Sequence, residues 1–315
     1  MFNKAKTYGF IPEPRRPADW QFGAISGIDN DEVLREDGQW DSYIPSYEPQ
    51  RNVYFDTMAC VSFSALNCIE TLLYRKYGEQ TNFSDRALAK MSGTTTEGNS
   101  LWNVAETIRK KGFLYESDWP FLGFLKDRDG YYSDIHPELL AAAEANLKRY
   151  SISYEFVWDT PDKLVEALKF APVQVAFHAY CPLQEGIHAR CAGTGNHAVM
   201  LYGYVLGQYW KIYDHYDNKF KKVAWDTAFY GAVKFDISNA EKPMPQFKPN
   251  TLYQVVEGPG EFILNIAGKM RRDDLTKLLA SWAVVNGGKT DGQVGTLTLK
   301  DLEGTTLYDL KGNKV

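Results

Sequence analysis

The sequence predicts an α+β chain with a small appended α+β module. Three observations carry this. Residues 60–150 have mostly helical periodicity, residues 173–237 hold short apolar runs rich in Val and aromatics, and "EKPMPQFKPN" (241–250) carries three prolines and no period. Helices first and strands later point to segregated α+β packing, and the proline stretch reads as a linker.

Taken in order, residues 1–50 are rich in Pro, Asp and Trp and predict an irregular, surface-wrapping arm. A helix is expected from Cys60 to Tyr77. "SDRALAKMSG" predicts a short one, with Ser84 as N-cap and Gly93 as stop. "SLWNVAETIRKKG" places Leu101, Val104, Ala105 and Ile108 on one face and ends at Gly112. "HPELLAAAEANLKRY" and "DTPDKLVEALKFAP" each carry a proline that a first helical turn tolerates. Strands are expected at "VQVAF", "HAVMLYGY", "YWKIYDHY" and "GAVKFDI". Beyond the linker, strands near "LYQVV" and "EFILNIAG", a helix "DDLTKLLASWAVVN" and two short strands would build the module.

The chain has 315 residues, with 44% hydrophobic and 14% aromatic, so a sizeable core is expected and disorder is not. A net charge of −5 gives no reason to expect nucleic acid or an anionic membrane as partner. The clusters Arg271-Arg272 and Lys219–Lys222 read as solvated faces. The start "MFNKAKTYGFIPEP" lacks the apolar run of a signal peptide, and no stretch has the length of a membrane span. Four cysteines are too few for a disulfide framework, so a reducing history is expected. Cys181 and Cys191 could bridge a loop, but the expectation is that they do not.

On the helix from Cys60, Phe63, Leu66, Ile69 and Leu73 form one apolar stripe, and Val61, Ala65, Cys68 and Leu72 a second. Cys60 lies on neither. Its helical neighbours are Ser64, Asn67 and Thr71, the polar face. A thiol in a first turn meets unpaired N–H groups and the positive end of the dipole, which favours thiolate. From this helix alone, a small buried hydrophobe is the simpler reading of Cys60. A catalytic reading needs a base.

"GTGNHAVMLYGYVLGQYWKIYDHYDN" supplies one. If its two apolar runs form a hairpin centred between Val205 and Leu206, then 204 pairs with 207 and 197 with 214. His197 and Asp214 would be side by side. An acid on one imidazole nitrogen orients the ring, and the other nitrogen is free to take a thiol proton.

These residues resemble a known family. Cys60-Val61-Ser62-Phe63-Ser64 resembles the Cys-Trp-Ala-Phe-Ser segment of papain-like cysteine peptidases. Asn196-His197-Ala198-Val199 with Gly203-Tyr204 resembles their Asn-His-Ala-Val…Gly-Tyr strand, and Tyr209–Asp214 their Tyr-Trp-x-x-x-Asn strand. "PADW" resembles the start of the mature enzymes, and "GFLYESDWPF" and "APVQVAF" echo further segments, in order, over residues 11–240. The resemblance implies a two-lobed fold, a helical lobe beside an antiparallel barrel-like one. It implies a peptidase domain at 1–240, a linker at 241–250 and an accessory module at 251–315. Cys60 would be the nucleophile, His197 the base, and Asp214 would take the place of an orienting Asn. Gln50, ten residues before Cys60, would complete the oxyanion hole after a short insertion. Thr95, Gly98 and Asn99 fall where the family binds substrate. Asn196 precedes the base, and Tyr216 would shield the hydrogen bond to His197.

There are departures. Thr57 stands where the family has a cysteine, and Val61 where it has a tryptophan. No long inhibitory propeptide precedes "PADW", so the enzyme is expected to be made without that guard. Such versions look more like bacterial or bacteriophage proteins than lysosomal ones, cytoplasmic or virion-associated. The expected substrate is a peptide or protein, with no cofactor, and a protein partner could dock on the C-terminal module. The competing readings are a Cys-His-Asp amidase or transglutaminase-like enzyme, including peptidoglycan-cleaving ones, and a non-catalytic structural or virion component. A metal site of His188, Cys191 and His197 matches no strong zinc spacing.

Overall fold

The computed structural model describes residues 8–14, 22, 33–216 and 219–239, without the side chains of 238 and 239, and the backbone of four strands between 251 and 297. The chain divides into two compact units, Met1–Ala240 and Glu241–Val315.

In the first unit the helices are α1 (Cys60–Tyr77), α2 (Asp85–Met91), α3 (Leu101–Lys111), α4 (Arg128–Tyr131), α5 (Pro137–Arg149) and α6 (Pro161–Ala167). Ser84 and Ser100 cap α2 and α3 by accepting the backbone N–H of Ala87 and Asn103. Every residue of α1 from Cys60 to Leu73 is buried. Phe63, Leu66, Ile69 and Leu73 each contribute ~1.5–3 kcal/mol by that burial. The polar face of α1 is buried as well, because it has partners. Ser64 Oγ donates to the Cys60 carbonyl at 2.7 Å and accepts Gln174 Nε2 at 2.8 Å. Asn67 Nδ2 meets His215 Nε2, and Thr71 Oγ1 donates to Met200 Sδ.

The sheet has eight strands: β1 (Tyr150–Phe156), β2 (Val173–Phe177), β3 (Leu183–Gln184), β4 (Ile187–His188), β5 (His197–Val205), β6 (Tyr209–Tyr213), β7 (Phe220–Ala224) and β8 (Phe229–Asn239). Their order is β1-β8-β2-β5-β6-β7-β4-β3, antiparallel except for β4 beside β7. This is the expected α+β class. Strands β1, β3, β4 and β7 were not anticipated. β1 alternates buried and exposed residues, a readable period-two signal, whereas the lysines of β7 mask it.

The β5–β6 hairpin differs from the expected register. Val205 pairs with Tyr209 across Leu206-Gly207-Gln208, not 204 with 207. This odd-length loop alone would turn Asp214 to the opposite face from His197, since side chains alternate along a strand. A bulge at Tyr202 then shifts the pairing, so that Leu201 faces Ile212 and Met200 faces Tyr213. Carried one residue on, Asp214 faces Val199, on the same side as His197. The two meet diagonally rather than directly across.

The described residues among the first 50 do not simply wrap the surface. Trp40 is fully buried, and its indole N–H donates to the Leu168 carbonyl at 2.7 Å. Cys181 and Cys191 form a disulfide, against the expectation of four reduced thiols. The short β3–β4 hairpin between them brings their Cα atoms to 5.4 Å, within bridging distance. Cys60 and Cys68 are free and buried. The bridge takes Cys191 out of the His188–Cys191–His197 ligand set.

In the second unit, β9 (Thr251–Val255), β10 (Phe262–Ile266), β11 (Lys269–Asp273) and β12 (Gln293–Leu297) form a sheet in the order β11-β10-β9-β12. β12 runs parallel to β9. The expected helix "DDLTKLLASWAVVN" and the linker 241–250 lie outside the described residues.

Candidate active site

The site forms where the start of α1 meets β5. Residues 50–57 fold back on themselves ahead of it. Thr57 donates both its N–H and its hydroxyl to the Gln50 carbonyl, and the backbones of Arg51 and Asp56 pair in an isolated antiparallel β-bridge. This turn accommodates the ten-position spacing from Gln50 to Cys60. Asp56 Oδ1 then accepts the Met58 N–H at 2.9 Å, and Thr57 Oγ1 the Ala59 N–H, which holds the backbone just ahead of α1.

Cys60 opens α1 at 1% exposure. Burial pushes its thiol well above the usual range, and backbone hydrogen bonds from Ala198, the residue after His197, and Val61 oppose that rise. The thiolate expected at an exposed helix start is therefore disfavoured in this closed arrangement. Cys68 is buried among apolar residues, as expected, and its thiol is also pushed up by burial.

His197 opens β5 and is fully buried. Its Nε2 donates to Asp214 Oδ1 at 2.7 Å. Its Nδ1 is buried and has no hydrogen-bond partner. Asp214 Oδ1 also accepts the His215 N–H at 2.7 Å. Oδ2 accepts the Tyr180 hydroxyl at 2.5 Å and Lys221 Nζ at 2.6 Å. Burial works against ionisation of Asp214, but the charges and hydrogen bonds of His197 and Lys221 outweigh it and hold the carboxyl well below the usual range. Lys221 is thus no solvated residue of a basic cluster. On β7 it alternates inward with the buried Val223.

Residues 8–11 lie across this site. Tyr8 and Phe10 donate their N–H groups to the Asn196 carbonyl, Ile11 donates to Asn99, and Asn99 donates to Gly9. The Tyr8 carbonyl accepts Gln50 Nε2 at 2.9 Å, and the Tyr8 ring sits 4.9 Å from the His197 ring. Two glycines permit this approach. Gly9 and Gly98 have φ near +110°, and a Cβ on either would meet the backbone of Met58 or Gly9 at about 2 Å. These four residues pair through backbone with Asn196 on one side and Asn99 on the other.

Of the residues singled out from sequence, Cys60, His197, Asp214, Gln50, Asn196 and Tyr216 come together here. Tyr216 packs edge-on against His197 at 5.4 Å and gives its hydroxyl to Asp56. Gln50 Nε2 also reaches Asp56 Oδ1 and the Tyr216 hydroxyl. Gly98 and Asn99 touch residues 9–11, whereas Thr95 closes the turn behind them, paired with Gly98. Tyr8, Asp56, Tyr180 and Lys221 were not foreseen. For Lys221 the inward alternation with Val223 was a usable signal. For Tyr8, no local pattern shows where an arm will dock.

Comparison with known proteins identifies the class. The family described as papain family cysteine protease matches residues 56–235. That is more than half the chain, and the protein belongs to this family. It is a cysteine peptidase, a hydrolase of peptide or protein substrates. Among solved structures it is similar to digestive procathepsin L 3 of Tenebrio molitor larval midgut, at 18% identity over 68% of this chain and 74% of that one, with TM-score 0.48. It is also similar to the proform of the ragweed pollen allergen Amb a 11, at 15% identity over 67% of each chain, with TM-score 0.46. A clostridial cysteine protease, Cwp84, after propeptide cleavage, is 14% identical over 62% of this chain and 56% of that one, with TM-score 0.48. No curated protein sequence matches the chain.

Proposed function

We propose that the chain hydrolyses peptide bonds through Cys60, His197 and Asp214. The Cys60 thiol gives its proton to His197 Nδ1, and the sulfur attacks the scissile carbonyl carbon. Gln50 Nε2 donates to the oxyanion that develops. His197 then returns the proton to the leaving amine, and water hydrolyses the thioester. Asp214 holds the ring with its proton on Nε2, so that Nδ1 is the basic nitrogen. The observation that carries this reading is the state of the imidazole. One nitrogen is committed to a carboxylate at 2.7 Å, the other is buried without a partner, and the next residue's backbone reaches the Cys60 sulfur. A buried polar atom left unpaired costs about 1–3 kcal/mol, which a purely structural histidine has no reason to bear.

The test is labelling by a thiol-directed epoxide with peptide mapping, beside hydrolysis of ordinary peptides. Selective modification of Cys60 over Cys68, and loss of hydrolysis in Cys60→Ser with the fold retained, are expected. Undiminished turnover in Cys60→Ser would refute the reading. Activity confined to cell-wall amides or γ-glutamyl transfer would move the chain to the amidase or transglutaminase-like alternative.

A further inference from the structure

The orienting group here is a carboxylate, where the papain-like peptidases that the sequence resembles carry an amide. A carboxylate in a fully buried site costs several kcal/mol unless its charge is matched and its lone pairs are filled. It also favours a protonated ring beside it, which works against a base that must give its proton up again. An amide does neither. Something in this chain must compensate.

The two oxygens of Asp214 divide the work. Oδ1 faces the imidazole and the His215 N–H. Oδ2 faces away, to Lys221 Nζ at 2.6 Å and the Tyr180 hydroxyl at 2.5 Å. Lys221 is 10% exposed and Asp214 1% exposed, so the pair is little screened by solvent. Its placement is fixed by the sheet. Ile212 pairs with Lys221 and Tyr213 with Phe220, and the Asp214 N–H continues the ladder to the Lys219 carbonyl at 2.9 Å. Lys221 Nζ also donates to the Tyr216 carbonyl, which ties the ammonium to the segment that carries Asp214.

We propose that Lys221 is a positioning residue for the His197 base: its ammonium balances Asp214 and fixes the carboxylate's rotation, so that an aspartate can serve where a neutral amide otherwise would. The inference rests on the reading of Cys60 and His197 as the reacting pair. The other titratable groups facing the ring are accounted for. Burial pushes the Tyr180 and Tyr216 phenols and the Cys60 thiol well up, and it pushes His215 down to about 4, so these are uncharged near neutral pH. Tyr8 packs on the ring from the arm, and Asp56 accepts the Tyr216 hydroxyl.

The experiment compares the full chain with Lys221→Met, Lys221→Gln, Asp214→Asn and the Lys221→Met/Asp214→Asn double variant. It reads peptide hydrolysis and the pH dependence of Cys60 labelling, over hours, so that transient opening of residues 8–11 suffices. Both Lys221 variants should lose ~10-fold or more in kcat/KM. The acid limb of their profile should move up by about one pH unit, because a base beside an unbalanced carboxylate must shed its proton before it can act. Asp214→Asn alone should lose more, since it leaves the Lys221 ammonium buried without its counter-charge. The double variant should recover activity over Asp214→Asn. A merely structural lysine would give no such rescue and no pH shift. Lys221→Gln keeps a hydrogen-bond donor, so it serves if Lys221→Met fails to fold. Superimposable profiles in the original chain and a folded Lys221 variant, or a double variant no better than Asp214→Asn, would overturn the inference alone. Failure of Cys60 to label in the unaltered chain would bring down the catalytic reading, and this inference with it.

Discussion

The carbonyl oxygen of Tyr8 accepts the side-chain amide of Gln50 at 2.9 Å. In the proposed mechanism the same amide is the donor to the tetrahedral oxyanion. On that reading the chain fills its own oxyanion site with its own backbone, while the Tyr8 ring packs against the imidazole. Cys60, His197, Gln50 and Asp214 are each 1% exposed or less, so a substrate reaches them only when groups packed over them move.

The cover should be releasable by one substitution. Gly9 has φ +110°, and a Cβ there would lie 2.1 Å from the Met58 carbonyl oxygen. Gly9→Val cannot keep this contact and should unseat the segment. Labelling of Cys60 by the epoxide probe should accelerate by ~10-fold or more, equivalent to ~1.4 kcal/mol of lost cover. A labelling rate equal to that of the unaltered chain would mean that residues 8–11 do not limit access.

Gln50 should separate labelling from turnover. Gln50→Ala removes the donor to Tyr8, so labelling should be as fast as in the unaltered chain or faster. Peptide hydrolysis should nevertheless fall by ~10²–10³ in kcat, the usual loss for an oxyanion donor. KM should change little. A parallel fall in both readouts would point to a damaged fold instead.

Much of this site was legible in the sequence, for a physical reason. Cys60, His197 and Asp214 each stand at the end of a strongly periodic element, and such elements declare themselves locally. The caps at Ser84 and Ser100 are equally local. The register of β5 and β6 was not legible, because the loop at Gly207 and the bulge at Tyr202 depend on packing across strands. Their two shifts combine to keep Asp214 on the face of His197, so the pairing survived a wrong register. Lys221 was hidden in a run of lysines that reads as solvated unless β7 is seen as a strand. The docking of Tyr8 on residues nearly two hundred positions away has no local trace at all.

The disulfide should contribute to stability and be countable. Cys181 and Cys191 close a short loop that follows Tyr180, a partner of Asp214. Closing a loop of this length is worth roughly 2–3 kcal/mol. Unfolded without reductant, the chain should titrate with two thiols, Cys60 and Cys68, and with four after reduction. Cys181→Ser with Cys191→Ser should lower Tm by about 5–10 °C. Four titratable thiols without reductant would show that the bridge does not form.

A pH dependence of stability should trace to Glu116. Burial, then repulsion from Glu48, pushes its carboxyl from 4.5 up to about 7. Burial also pushes the neighbouring Glu70 and Asp85 well up. A carboxyl raised in the folded state binds more protons folded than unfolded across the interval between the two values. Its contribution is full below 4.5 and is lost as pH rises through about 7. His215, lowered to about 4 from 6.5, acts in the opposite sense as pH falls through that range. The comparison must therefore be a difference between two proteins that share His215. Glu116→Gln is neutral at every pH, and its amide oxygen can still accept the Phe121 N–H that Glu116 Oε1 accepts now. At pH 5 the variant should melt with the unaltered chain. At pH 8 it should melt a few degrees higher, the difference opening as pH rises above 4.5 and levelling off near 7. A difference in Tm that stays constant from pH 5 to pH 8 would show that Glu116 does not titrate in the folded protein.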